Sequence, residues 1–221
     1  MGSNVRTIKI NEDIFAGNDK AADEVRRFLR ENGVYMINVM SAPGSGKTTL
    51  LTALINRMKG KLRIAEMDVD IESSLDARRV ADATGVRTIQ IHNGGLCHID
   101  ADMTFRAINE FGIEDTDLLI LENIGNLVCP AEFDTGANMN IMLLSVPEGD
   151  DKPLKYPLMF SVSDVVLITK TDTVQYFDFD MEKAKERIRK LNPGAVIIPV
   201  SARTGEGLDK VEELLLKAVK G

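Results

Sequence analysis

The sequence predicts an α/β fold of three layers, a mostly parallel seven-stranded sheet flanked by helices on both faces. Short runs of aliphatic and β-branched residues recur along the chain with almost no polar interruption, the pattern of strands buried on both sides. Longer amphipathic stretches separate them, so the strands are joined by helical crossovers rather than hairpins. The chain has 221 residues, 44% hydrophobic and 28% charged. That is the length of one α/β domain with ordinary soluble-protein usage, able to bury a core without disulfides or metals.

Lys20 to Arg30 reads as an N-terminal helix, part of an extension over residues 1–33 that precedes the sheet. Val34 to Met40 is a buried strand, followed by a Gly-rich turn and a helix from about Gly46 to Met58. Leu62 to Met67 is the next strand and Ser74 to Ala83 the next helix. Val86 to Ile91 is a strand and Asp100 to Phe111 a helix. Leu118 to Glu122 is an unbroken apolar strand that ends in an acid. Ile141 to Val146, Val165 to Thr169 and Ala195 to Val200 complete the seven, with helices over Met181 to Leu191 and Leu208 to Val219. No repeat, low-complexity tract or linker divides the chain, so residues 1–221 read as a single domain.

Composition excludes several functions. The net charge is −7, from 34 acids and 27 bases, with no Trp and 5% aromatic residues. A basic nucleic-acid surface and base-stacking platforms are therefore not expected. No apolar run approaches the ~18–20 residues of a membrane span. The N-terminus lacks the apolar core of an export signal, and Arg6 interrupts the myristoylation pattern begun by Met1-Gly2. A cytoplasmic protein is expected. The two cysteines, Cys97 and Cys129, are not expected to form a structural disulfide in a reducing compartment.

After the first strand comes Ser41-Ala42-Pro43-Gly44-Ser45-Gly46-Lys47-Thr48-Thr49. Apart from Ser41 in the place of the first glycine, this is a P-loop. Gly44 and Gly46 let the backbone curl so that successive N–H groups face an anion. The following helix aims its positive end at the same point. Lys47 is placed to reach the outer phosphates and Thr48 to put its hydroxyl on Mg²⁺. A strand before and a helix after make a chance Gly-rich turn a poor explanation.

The strand Val165 to Thr169 leads into Thr169-Lys170-Thr171-Asp172, similar to the Asn-Lys-x-Asp guanine motif of GTPases with Thr in the Asn place. The Asp172 carboxylate can accept from both the ring N–H and the exocyclic amine of guanine, whereas adenine would leave it unpaired. Lys170 would pack its stem along the base. Thr169 is expected to weaken the bracing of the loop but not the reading of the base. Ser201-Ala202-Arg203, after the last strand, is similar to the second guanine loop of GTPases. Glu122 takes the Walker-B position beside the P-loop, and Gly125 is placed to offer its N–H to the γ-phosphate. Asp68-Val69-Asp70 follows the second strand, and Asp70 is the favoured second acid of the Mg²⁺ shell. A catalytic Gln or Arg finger is not identifiable, so intrinsic turnover is expected to be slow or completed by a partner.

Both cysteines fall after predicted strands, Cys97 beside His98 and Cys129 shortly after Gly125. Thiolate and imidazole suit Ni²⁺ and Zn²⁺. Cys97, His98 and Cys129 are one short of a closed tetrahedral site, which suggests an open position or a site shared between subunits. Two buried cysteines and a surface histidine explain the same residues as well. His92 reads as structural. Because Cys129 lies just downstream of the predicted γ-phosphate contact, phosphate loss is expected to loosen the metal.

Three segments carry a family resemblance: Gly95-Leu96-Cys97-His98-Ile99-Asp100-Ala101, Glu122 through Pro130, and Ser145 through Pro153. Together they resemble the HypB family of GTPases, which helps insert nickel into [NiFe] hydrogenase, over nearly the whole chain. The resemblance implies a P-loop fold of the SIMIBI class and a homodimer promoted by GTP. It implies a nickel or zinc site at the dimer interface, built from Cys97, His98 and Cys129 of two subunits. It also implies a HypA-type metallochaperone and a hydrogenase large-subunit precursor as partners. The chain has no N-terminal Cys-rich motif or His-rich tract, so neither a high-affinity N-terminal nickel site nor a nickel store is expected. The urease accessory GTPase UreG is the nearest rival, but it uses a Cys-Pro-His sequence where Ala131 follows Cys129-Pro130 here. A small-molecule kinase would not need Asp172. A nucleotide-gated metal-binding protein without significant turnover is the non-enzymatic alternative.

Overall fold

The computed structural model describes residues 11–70 and 75–221. The element order is α1 (Asn11–Glu31), β1 (Tyr35–Ser41), α2 (Lys47–Met58), β2 (Ile64–Val69), α3 (Leu75–Thr84), β3 (Arg87–Ile91), α4 (Ala101–Phe111) and β4 (Leu118–Gly125). It continues with α5 (Cys129–Glu132), β5 (Met139–Ser145), α6 (Lys152–Lys155), α7 (Pro157–Ser161), β6 (Val165–Thr169), α8 (Met181–Leu191), β7 (Val196–Pro199) and α9 (Leu208–Lys220). Short 3₁₀ helices cover Val146–Glu148 and Thr171–Tyr176.

The strands form one sheet in the order β3-β2-β4-β1-β5-β6-β7, and every pairing is parallel. The expectation of a mostly parallel sheet thus tightens to a wholly parallel one. Alternation along each strand separates two faces. Ile37, Val39, Leu118, Ile120 and Ile64 pack under Leu50, Leu54 and Ile55 of α2 and Val211 and Leu215 of α9. On the other face Met36, Met67, Leu119 and Leu121 pack under α1 and α4, and Met142, Leu144 and Val166 under α7 and α8.

Between the two clusters of that second face runs a row of amides. Asn123 donates to Asn38 at 3.0 Å, Asn38 to Asn140 at 3.0 Å, and Asn140 to the Val162 carbonyl at 3.3 Å. The Asn123 carbonyl accepts from the Ile124 N–H at 2.8 Å. The row crosses β4, β1 and β5, so each polar group has a partner although Asn38 and Asn123 are buried.

The predicted N-terminal helix is longer than expected. Its stripe of Ala22, Val25 and Leu29 is fully buried, and Asn18 links it to the Ala101 N–H and the Asp134 carbonyl. Gly136 lets the chain pass α1, since a Cβ there would stand 2.5 Å from Val25. Helix α4 begins where Asp100 accepts from the Met103 N–H at 2.8 Å, and α8 where Asp180 accepts from the Glu182 and Lys183 N–H groups. Among the described residues no helix is long and apolar enough to cross a membrane.

Candidate functional site

Strand β1 lies mid-sheet, with β4 on one side and β5 on the other, so the loop after it opens at the crevice where α/β sheets receive ligands. That loop turns through Gly44 (φ 73°) and Gly46 (φ 97°), backbone conformations costly to any side chain. Gly46 then serves as the N-cap of α2. Two side chains where β6 ends, Thr169 and Lys170, brace the loop. Thr169 Oγ1 donates to the Ser45 carbonyl at 2.9 Å, and Lys170 Nζ to the Gly44 carbonyl at 2.7 Å. The threonine therefore does the bracing that its replacement of Asn was expected to weaken, its single hydroxyl reaching the loop because β6 ends directly beneath it.

A cavity of about 270 Å³ lies between these segments, lined by Ser45, Gly46, Thr49, Thr169, Lys170, Asp172, Ala202 and Arg203 among others. It joins one end of the predicted phosphate loop to both predicted base loops. Ser201 Oγ donates to Asp172 Oδ1 at 2.7 Å, while the exposed Arg203 stands 3.8 Å from Asp172 Oδ2. The side chain of Asp172 is 15% exposed and lines the cavity with one oxygen bonded to Ser201 and the other near Arg203. Pro43 and Gly125 meet on the other side of the loop. A Cβ on Gly125 would lie 3.1 Å from Pro43 Cα, tight enough that the loop would have to give by a few tenths of an ångström to accept a larger residue.

Under the loop, Thr48 Oγ1 donates to Glu122 Oε1 at 2.9 Å. Glu66, Asp68 and Glu122 stand on the same face of adjacent strands, each under 5% exposed. Oxygens Glu66 Oε1, Asp68 Oδ2 and Glu122 Oε2 are buried without a hydrogen-bond partner among the described residues. Burial pushes Glu122 up to about 7 and Asp68 up to about 6. Burial, with the Glu122 and Asp68 charges, pushes Glu66 up to about 9. Lys47 is drawn down by burial, against the pull of Glu122 and Asp68. The orphaned Glu122 oxygen beside the Thr48 hydroxyl is the oxygen chemistry that a hard divalent cation takes. Asp70, the acid favoured from the sequence, ends the described part of this segment. Sequence reasoning missed Glu66 as a third acid, although a Glu inside the run Ile64–Val69 was a visible signal.

The cysteines meet on the same crest. The Cys97 thiol lies 2.7 Å from the Cys129 sulfur, and His98 Nδ1 is 3.8 Å from Cys97 Sγ. Cys97 is exposed and Cys129 half-buried, so neither is a core residue. The contact with Cys97, with some burial, holds the Cys129 thiol above its usual range. The His98 ring stacks on Phe133 at 3.8 Å and 9°, a contact the sequence did not announce. Among the described residues no group of three His, Cys, Asp or Glu is arranged to hold a metal ion. What one chain presents is two thiols and a neighbouring imidazole. Asn126 fastens the two loops, donating to the Cys97 carbonyl at 3.3 Å and accepting from the Val128 N–H at 2.9 Å. His92 lies instead with Arg106 and Glu110 along the groove between β3 and α4.

A parallel seven-stranded sheet, with a glycine loop running from its central strand into a helix over buried acids, defines a P-loop nucleotide-binding protein. Comparison with known proteins narrows the class. The sequence matches the CobW/HypB/UreG nucleotide-binding domain over residues 35–199. It is 42% identical over 207 residues to the hydrogenase maturation factor HypB of Rhizobium leguminosarum bv. viciae, covering 94% of this chain and 69% of that protein. Two solved structures superpose closely. One is HypB from Helicobacter pylori in complex with nickel, with TM-score 0.86, 41% identity, and 92% and 95% of the two chains covered. The other is the hydrogenase maturation factor HypB from Archaeoglobus fulgidus, with TM-score 0.85, 37% identity, and 92% and 99% covered. The chain belongs to the HypB hydrogenase maturation factors of the CobW/HypB/UreG family.

Proposed function

We propose that this chain is a GTP-hydrolysing metallochaperone of the cytoplasm. In this reading it dimerises with GTP, binds nickel or zinc at the dimer interface, and assists nickel insertion into a [NiFe] hydrogenase precursor alongside a HypA-type partner. The observation that carries the reading is the continuity of one short segment. Glu122 accepts from Thr48 beneath the phosphate loop, Gly125 packs on Pro43 of that loop, and Cys129 at the end of the segment touches Cys97.

In this mechanism the loop N–H groups and Lys47 neutralise the phosphates, and Asp172, aligned by Ser201, reads the guanine edge. Thr48, Glu122 and an acid after β2, with Asp70 favoured, would hold Mg²⁺, which supplies charge neutralisation for the leaving diphosphate. The Gly125 N–H holds the γ-phosphate. Water attacks the γ-phosphorus and the bond to the β-phosphate breaks, leaving GDP and inorganic phosphate; once that phosphate departs, Gly125 loses its ligand and the segment through Cys129 relaxes. A site made of thiols from two loops then loses its geometry, and the cargo metal is released to the next protein.

The test is direct. Hydrolysis of GTP and ATP is compared with and without nickel, and nickel is titrated into the GDP-loaded and GTP-analogue-loaded protein. Faster hydrolysis of GTP and tighter nickel in the GTP-analogue state are expected. ATP preference would remove the base assignment, and equal nickel affinity in both states would remove the coupling.

A further inference from the structure

A buried lysine amid carboxylates ordinarily forms an ion pair, but among the described residues Lys47 is bonded to a hydroxyl instead. Its Nζ donates to Ser41 Oγ at 3.0 Å, and among the described residues no carboxylate stands within 4.0 Å of it. Ser41 is fully buried, and its own proton is committed to the Ala42 carbonyl at 2.7 Å. The hydroxyl is therefore left only lone pairs to offer, and it accepts from the ammonium. The pairing of β1 with β4 is irregular at this point. Val39 opposes Glu122 while Ser41 opposes Gly125, a bulge of the kind that re-aims side chains beside functional sites. Ser41 shares its face with Val39, the face that α2 covers, and so points at the first residue of that helix.

We propose that Ser41 is a positioning residue, a neutral buried hydroxyl that holds Lys47 toward the phosphate loop and off the carboxylates of Glu122 and Asp68. The inference rests on the nucleotide-binding reading above. Opposite charges attract strongly in a buried, weakly screened site, so an unheld ammonium would be drawn onto the partnerless Glu122 Oε2 or Asp68 Oδ2. Such a pair would occupy at once the cation meant for phosphate and the anion meant for Mg²⁺. The hydroxyl avoids both losses because it competes for neither.

The test is binding of a fluorescent GTP analogue at varied Mg²⁺ by the full chain, with thermal unfolding followed in parallel. Ser41→Ala is expected to raise the half-saturating Mg²⁺ at least fivefold and to weaken the analogue about tenfold, with Ser41→Thr restoring both. General damage to the loop would weaken the analogue at saturating Mg²⁺ without moving the Mg²⁺ midpoint, and that result overturns the proposal. If Ser41→Ala does not fold, Ser41→Cys, a weak acceptor of similar size, replaces it and must show the same Mg²⁺ shift. Lys47→Ala serves as the control. Undiminished binding by Lys47→Ala overturns the loop assignment and this inference with it. Lys47-dependent binding with an unmoved midpoint in the Ser41 variants overturns the role of Ser41 alone.

Discussion

Thr48 Oγ1 and Glu122 Oε1 lie 2.9 Å apart, a hydrogen bond that ties the first turn of α2 to the centre of β4. Both are predicted Mg²⁺ ligands, so their contact preforms one edge of that site. Glu122→Gln keeps an oxygen for Thr48 but removes the charge. The half-saturating Mg²⁺ for GTP binding is expected to rise at least tenfold while circular dichroism stays unchanged. Because burial raises Glu122 to about 7, its charged form is depleted on acidification. Mg²⁺ affinity in the parent should weaken below about pH 7, and this dependence should be reduced in the variant.

Asp172→Asn replaces an acceptor by a donor–acceptor pair, held in place by the same Ser201 contact. Guanine affinity should fall at least tenfold, and xanthine nucleotides, which carry a carbonyl where guanine has its amine, should gain by comparison. Competition between GTP, XTP and ATP for the labelled analogue measures this, and unchanged selectivity would place the base pocket elsewhere.

Cys129→Ala removes one of two touching sulfurs far from the base pocket. Nickel affinity should drop at least tenfold by competition with a chromogenic chelator, and GTP affinity should stay within twofold.

Glu66 is buried with acidic neighbours, and its pKa is raised from 4.5 to about 9. Between those values the folded state keeps a proton that the unfolded chain releases. Its stability contribution is thus fully present below the lower value and lost as pH rises through the upper one. Glu66→Gln should stabilise the protein by up to roughly 5 kcal/mol at pH 8 and change little at pH 5. Urea unfolding at the two pH values is the measurement, and destabilisation at pH 8 would show that the carboxyl has a cationic partner.

The central strands were legible because they are mostly apolar runs, and the loops of the candidate site were legible because their chemistry is local. Gly44 to Thr49, Thr169 to Asp172 and Ser201 to Arg203 each declare themselves by residue type. The short helices at Cys129, Lys152 and Pro157 escaped notice because one turn carries no periodicity; Pro130, Pro153 and Pro157 in their first turns were the only local signal. The Glu66–Asp68–Glu122 cluster needs to be known as two adjacent strands, and the His98–Phe133 stack depends on a fold that joins distant loops. Strand β4 runs on to Gly125 rather than stopping at the acid, since Asn123 finds its partner on β1 and not in solvent.

The row of Asn123, Asn38 and Asn140 has a consequence for assembly. Its amides are all satisfied only when β4, β1 and β5 are neighbours in this register. A sheet assembled with another strand beside β1 would bury amides with nothing to bind, at about 1–3 kcal/mol for each orphaned group. Apolar contacts alone would tolerate several such shuffles. The three carboxamides act as a proofreading key, admitting the strand order that puts the phosphate loop and the thiol loops on one crest.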